Sequence, residues 1–258
     1  MPSSALWCLR LTVALQCFAA GRIAWVAGST VNGWLFMRAG FPESVGGTID
    51  QVAAALLLFI SAAIIIYPKR SFCFLAAGWM FALALTTYLN PGTSVDSLAL
   101  FAHAVRFMAP LCLAFVLPST KSELFEDLKV SQTTAWLLLL GASSTFIAHG
   151  IEAFEHYGRF IDLLIGSASR VGLKLSQSNA ETTLTVIGVQ DFLLVALLLL
   201  RRWRWVAGWM AFWGFATALS RMTTMGSGSW HQTAVRVANG GVPLAIFLAW
   251  RPLFRPNS

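Results

Sequence analysis

Charge is scarce in this sequence. Of 258 residues only 11% are Asp, Glu, Lys or Arg, while 57% are hydrophobic, and mean hydropathy is +0.69. Soluble domains carry about 25% charged and about 45–50% apolar residues. A soluble core of this size cannot hide so much apolar surface, which excludes a soluble enzyme, a secreted disulfide scaffold and a disordered chain. Cysteine is also sparse. Cys8, Cys17, Cys73 and Cys112 form no C-x-x-C pair and lie in apolar runs. They read as buried small hydrophobes, against thiol-disulfide chemistry. His and Cys have no zinc-type spacing, and there is no P-loop, G-x-S-x-G or glycine-rich dinucleotide turn. Acidic residues are the rarer sign, 11 against 18 basic, for a net charge of +7. The basic residues collect in short loops, the pattern of a membrane protein. The expected partner is therefore the lipid bilayer and not nucleic acid.

A spanning helix needs about 20 mostly apolar residues. Eight stretches qualify: 5–27, 51–67, 72–89, 97–117, 132–153, 184–200, 203–220 and 232–250. The first could pass for a signal peptide, but it carries Arg10 and Arg22 rather than a basic leader, and it is kept as a helix. The fold class expected is an all-α integral membrane protein with eight transmembrane helices. Lys69, Arg70, Lys121, Lys129, Arg201, Arg202, Arg204, Arg251 and Arg255 fall on one side, and Arg38, Arg159, Arg170 and Lys174 on the other. The positive-inside rule makes the first side cytoplasmic, with both termini there, in a bacterial-type inner membrane. Trp residues near expected helix ends, such as Trp7, Trp25, Trp34, Trp203 and Trp250, fit an interfacial belt.

The halves resemble each other. Ala77-Gly78-Trp79-Met80 recurs as Ala207-Gly208-Trp209-Met210, and Ala104-Val105-Arg106 as Ala234-Val235-Arg236, both at the same shift. Basic pairs Lys69-Arg70 and Arg201-Arg202 precede each third helix. These matches imply a tandem duplication: a four-helix unit at 1–118, a cytoplasmic linker at 119–131 and a second unit at 132–258. Four helices per unit give both copies the same topology, related by an axis along the membrane normal. After the first helix of each unit comes an irregular connection, Ser29–Thr48 and roughly Glu155–Thr182. Trp34-Leu35-Phe36 and Phe160-Ile161-Asp162-Leu163-Leu164 within them read as short interfacial helices or re-entrant caps.

Together these features resemble the DoxX-like membrane family of four-helix units. The second half carries the likeness through Phe146-Ile147-Ala148-His149-Gly150-Ile151-Glu152-Ala153, Gly188-Val189-Gln190-Asp191-Phe192 and the Arg201-Arg202 turn. The first half carries it through Phe18-Ala19-Ala20-Gly21-Arg22 and Gly47-Thr48-Ile49-Asp50-Gln51. The resemblance implies a redox-associated inner-membrane subunit, linked to quinone chemistry or to redox-enzyme maturation. It supplies no catalytic residue set.

Ionised side chains at the centre of a spanning helix cost about 2.5–3.5 kcal/mol on insertion scales, so they usually face a bundle interior or cavity. Here they gather toward the outer side. The candidate ligand-binding residues are His149, Glu152, Gln190, Asp191, Arg236 and Asn239 in the second half, with His103, Arg106 and Asp50 in the first. His149 and Glu152 are three apart and share a helix face, as do Arg236 with Asn239 and His103 with Arg106. One reading is structural: Arg236 pairs with Asp191 or Glu152, and Arg106 with Asp50. The other is a polar cavity for a quinone-type carrier, whose two carbonyls need donors beside an apolar slot. A His next to a carboxylate also moves protons near neutral pH. Haem b fits less well: His103 and His149 lie at similar depth, but there is no C-x-x-C-H.

The role expected is a membrane subunit that binds a quinone for a partner oxidoreductase or another membrane-complex subunit. Two alternatives stay open. One is a structural or assembly anchor with charges that serve packing. The other is a small-solute transporter, although Gly- or Pro-broken central helices are not evident.

Overall fold

A computed structural model describes residues 1–117 and 131–254. The expected linker, with Lys121, Glu123, Glu126, Asp127 and Lys129, lies outside the described residues apart from Ser131, as does Arg255. The described chain is helical and contains no strand. In order come α1 (Ser3–Ala27), α2 (Thr30–Met37), α3 (Glu43–Ile66), α4 (Arg70–Leu89), α5 (Ala99–Ala102) and α6 (Ala104–Val116). They are followed by α7 (Gln132–Phe154), α8 (Gly158–Arg170), α9 (Gln177–Ala196), α10 (Arg204–Met225), α11 (Trp230–Ala234), α12 (Ala238–Leu248) and α13 (Trp250–Phe254).

Six segments of the described residues are long and apolar enough to cross a membrane: Ser3–Ala27, Glu43–Ile66, Arg70–Leu89, Ser94–Val116, Gln132–Phe154 and Gln177–Arg201. The protein is an α-helical membrane protein. Two of the eight expected stretches fall short of that standard. Helix α10 has the length, but its C-terminal end carries Thr217, Ser220, Arg221, Thr223 and Thr224. The stretch at 232–250 is split, and its continuous apolar part, Ala238–Leu248, has 11 residues.

The helices start where caps and turns allow. Ser29, Ser131 and Ser176 each accept a bond from a backbone N–H of the first turn of α2, α7 and α9. Each satisfies one of the donors that an α-helix leaves open at its start. Both second helices begin about two turns before the expected boundary, at Glu43 and Gln177. Those turns are helical but too polar to register as membrane-spanning.

The expectation of unbroken fourth helices is corrected. The fourth stretch runs as a 3-10 turn (Ser94–Leu98), α5, a break at His103, and α6. The eighth breaks between α11 and α12, at Val235–Val237. Neither break needs Gly or Pro. Thr145 of α7 fills the first one: its hydroxyl donates to the Phe101 carbonyl and accepts from the Val105 N–H, both at 3.2 Å. Pro110 opens a second gap one turn further on, because proline has no N–H to offer the carbonyl four residues back. That carbonyl belongs to Arg106, and the Gln16 amide of α1 donates to it at 2.8 Å. Backbone polar groups in a bilayer must find partners inside the protein, and here α1 and α7 supply them from either side.

Packing follows a repeated scheme. Helix α1 lies on α3 as α7 lies on α9, and α4 lies on α6 as α10 lies on α12. The short helices sit alike too, α2 on α3 and α4, and α8 on α9 and α10. Between the halves α1 meets α11 and α12, while α7 meets α5 and α6. In lipid there is little hydrophobic drive between helices, so small residues that allow close approach do the work. A Cβ on Gly214 would strike the Asn239 carbonyl and the Gly240 amide, and one on Gly241 would strike Thr12. Gly150 and Gly188 let α7 and α9 touch in the same way.

Arginines close the helices at the opposite end. Arg10 donates to the Ile64 and Ile65 carbonyls of α3, Arg70 to Leu117 after α6, and Arg204 to Phe247 of α12. A cation at a helix C-terminus meets the negative end of the helix dipole. The basic residues of this end therefore have a structural use.

Candidate functional site

The expected polar residues gather toward the end of the bundle away from those arginines, but in two cavities rather than one. The first, of about 330 Å³, lies in the second half between α7, α8, α9, α10 and α12. His149, Asp191 and Asn239 line it. His149 Nδ1 lies 2.7 Å from Glu152 Oε2, as the three-residue spacing foretold. Asn239 Nδ2 lies 3.4 Å from His149 Nε2. The pair of contacts fixes the neutral ring: Nδ1–H donates to the carboxylate and Nε2 accepts from the amide.

Arg221 and the hydroxyls of Ser167, Thr217, Ser220 and Thr223 add polar groups on the α8–α10 side, and most of the remaining wall is apolar. Phe146, Phe160, Leu163, Leu164, Leu184, Ile187 and Trp213 face the space. Phe160 sets its ring edge-on to His149, with centroids 5.9 Å apart. Phe160, Leu163 and Leu164 come from α8, the amphipathic helix expected at the outer interface. That helix therefore forms a wall of the cavity, held to α10 by Thr224, whose hydroxyl donates to the Leu163 carbonyl. Two acceptors are spare: Asp191 Oδ1 and Asn239 Oδ1 are buried with no hydrogen-bond partner.

The second cavity, of about 210 Å³, joins the two halves. His103, Arg106, Gln232 and Arg236 line it with Trp79, Ser29 and Thr30, over an apolar floor that includes Ala20, Ile23 and Met80. His103 and Arg106 thus share a face, as their spacing implied. Arg236 and Asn239 do not: Arg236 turns into the second cavity and Asn239 into the first, because the chain unwinds between α11 and α12.

The expected ion pairs are corrected. Arg236 Nη1 donates to the Gln232 carbonyl at 2.7 Å and to Gln232 Oε1 at 3.1 Å, not to Asp191 or Glu152. Glu152 is taken by His149. Asp50, 2% exposed, accepts from the Ser29 N–H at 2.8 Å and does not reach Arg106. It is a strut at the start of α2, at the edge of the second cavity. Gln190 lines neither cavity, and its buried Nε2 has no partner. His103 and His149 face different cavities, and both ring nitrogens of His149 are engaged.

Comparison with protein-family models, curated proteins and solved structures finds no match to this chain.

The site must therefore be read from its own residues. No group of three or more His, Cys, Asp or Glu among the described residues could hold a metal ion, and all four cysteines are free. Several wall residues were not singled out from sequence as site residues. Trp79 stands out there only within the repeated Ala-Gly-Trp-Met motif and Trp213 not at all, and nothing in their neighbours marks them as cavity walls. Gln16, a polar residue inside an apolar run, did carry a signal: a buried amide in lipid must have a partner.

Proposed function

We propose that the protein is a quinone-binding membrane subunit, with the carrier's head group in the first cavity. One observation carries the reading: a largely apolar cavity whose polar wall holds a His–carboxylate pair, an amide, two unpartnered acceptor oxygens and, on α10, Arg221. A lipid-soluble ring and tail suit the apolar wall of Phe160, Leu163, Leu184 and Trp213. The reduced carrier brings two O–H donors, which match Asp191 Oδ1 and Asn239 Oδ1. His149 exchanges a proton with the carrier once the long 3.4 Å contact from Asn239 to its Nε2 gives way, while Glu152 holds the ring through Nδ1. The chain carries no electron-transfer motif of its own, so electrons would pass to or from a partner oxidoreductase.

The architecture proposed with it is eight crossings in two DoxX-like units. Support comes from the matched packing of α1–α6 and α7–α12, from breaks at His103 and at Val235–Val237, and from arginine caps at Arg70 and Arg204. At 1.5 Å per residue the 22 residues of α10 extend about 33 Å, enough for a hydrocarbon core of about 30 Å. The end bearing Lys69, Arg70, Arg201 and Arg202 would face the cytoplasm.

The test is direct. Detergent-purified protein is extracted with organic solvent and the extract run on HPLC with absorbance detection. About one quinone per chain is expected, with loss in Asn239→Leu and His149→Ala. Unchanged quinone content in His149→Ala sinks the assignment. No quinone in the native protein, and no uptake of added short-tail quinone, favours an anchoring subunit.

A further inference from the structure

We propose that the second cavity is a binding site for a phosphate group. Its polar lining is a set of donors with few acceptors to meet them. Arg106 makes no side-chain hydrogen bond, and its Nε is buried without a partner. Trp79 lines the same space, and its indole N–H is also buried and unpartnered. His103 faces the cavity with no hydrogen bond from its ring. Arg236 spends one nitrogen on Gln232 and keeps the rest of its guanidinium free.

The hydroxyls on the cavity wall make no bond to Arg106 or Arg236. The hydroxyls of Thr30 and Thr87 both donate to the Leu83 carbonyl. No carboxylate lines the cavity. Asp50 stands at its edge behind Gly28, with one oxygen held by the Ser29 N–H. Glu152 is close enough to act on Arg106 and Arg236, but so is Arg221 on Arg106, and Glu152 bonds His149. Asp50 keeps a buried Oδ1 without a partner but bonds neither arginine, and Glu152 is spent on His149, so Arg106 and Arg236 have no ion-pair partner among the described residues.

Buried guanidinium groups without anions are costly. An oxyanion meets the deficit, and a guanidinium fork matches phosphate oxygens in geometry. Two arginines, an imidazole and an indole N–H around one cavity suit a tetrahedral group with several acceptor oxygens. Both arginines sit beside helix breaks, so their main chains are placed by the fold and not by the charge they hold. The phosphate can belong to a lipid head group, since the floor of Ala20, Ile23 and Met80 is apolar, or to a small free anion. The assignment is independent of the quinone reading, which uses the other cavity.

The full chain tests it with two probes. Purified protein in detergent is dialysed against radiolabelled inorganic phosphate at fixed ionic strength, because screening alters any exposed electrostatic binding. In parallel it is reconstituted into nanodiscs of phosphatidylcholine with or without phosphatidic acid, and retained lipid is identified by native mass spectrometry. One site per chain for either probe is expected. Saturable inorganic phosphate assigns a free anion, whereas phosphatidic acid retained against added phosphate assigns a lipid. Arg106→Gln and Trp79→Phe should each weaken binding at least tenfold, and exposed Lys174→Gln should not. Should Arg106→Gln fail to fold, Trp79→Phe and Arg236→Lys decide alone. Failure of both probes to bind, or binding that Trp79→Phe and Arg236→Lys leave unchanged, overturns the proposal.

Discussion

Replacing Gly214 by alanine separates two effects that ordinarily travel together. Alanine is the better helix former by about 0.8–1 kcal/mol in a helix interior. If propensity ruled, Gly214→Ala would stabilise α10. The structure gives the opposite sign. A Cβ at Gly214 meets the carbonyl of Asn239 and the amide of Gly240, both backbone atoms of α12. Backbone cannot swing aside as a long side chain can, so α12 must move as a body. Overpacking of this kind costs about 1–3 kcal/mol, and the rigid partners place Gly214 toward the upper end. Gly78 is the control, since a Cβ there meets nothing within 4 Å. At about 2–4 °C per kcal/mol for a chain near this size, Gly214→Ala should lower Tm by about 4–8 °C and Gly78→Ala raise it by about 2–3 °C. Detergent-solubilised protein followed by a thiol-independent thermal unfolding assay reads both. A Gly214→Ala variant at or above the native Tm would refute the close α10–α12 contact, and with it the placement of Asn239 beside His149.

Other outcomes follow from single contacts. Gln16→Leu strands the Arg106 carbonyl and should cost about 1–3 kcal/mol. Adding Pro110→Ala restores an N–H to that carbonyl, so the double variant should be more stable than Gln16→Leu alone, a coupling that a thermal double-mutant cycle reads. Thr145→Val removes both a donor and an acceptor from the break at His103 and should destabilise by more than Thr133→Val, as judged by Tm. Asp50→Asn keeps an acceptor for the Ser29 N–H but loses its charge; a loss of about 1 kcal/mol is expected, with faster proteolysis in the α1–α2 connection. For orientation, a single cysteine at Lys174 should react with a membrane-impermeant maleimide on intact cells, and one at Lys69 only after permeabilisation; the reverse pattern would invert the topology.

Much of the fold was legible in the sequence because lipid imposes long apolar runs. The first and fifth helices, expected at 5–27 and 132–153, run Ser3–Ala27 and Gln132–Phe154. The starts of α3 and α9 were missed because hydropathy sees lipid contact and not helicity, and Glu43–Asp50 and Gln177–Thr183 are polar. The breaks at His103 and Val235–Val237 had no Gly or Pro to announce them; they depend on Thr145 and on contacts between helices. Likewise the His149–Glu152 pair could be read, since both residues ride one regular helix at a fixed spacing. Arg236 with Asn239 could not, because that spacing holds only if the helix is continuous. Pairings across helices, such as Arg106 with Asp50, depend on rotation about each axis, which the positions of the spans leave free.

Thr145 also bears on how the chain is made. It belongs to the fifth stretch, yet the backbone it completes belongs to the fourth. A ribosome delivers residues 1–117 first, so the His103 break leaves the translocon with its Phe101 carbonyl and Val105 amide still open. They close when α7 arrives. The first half is therefore an unfinished intermediate during synthesis and not a unit that settles before the second begins. Carrying both stretches in one polypeptide fixes the supply of that hydroxyl at one per break.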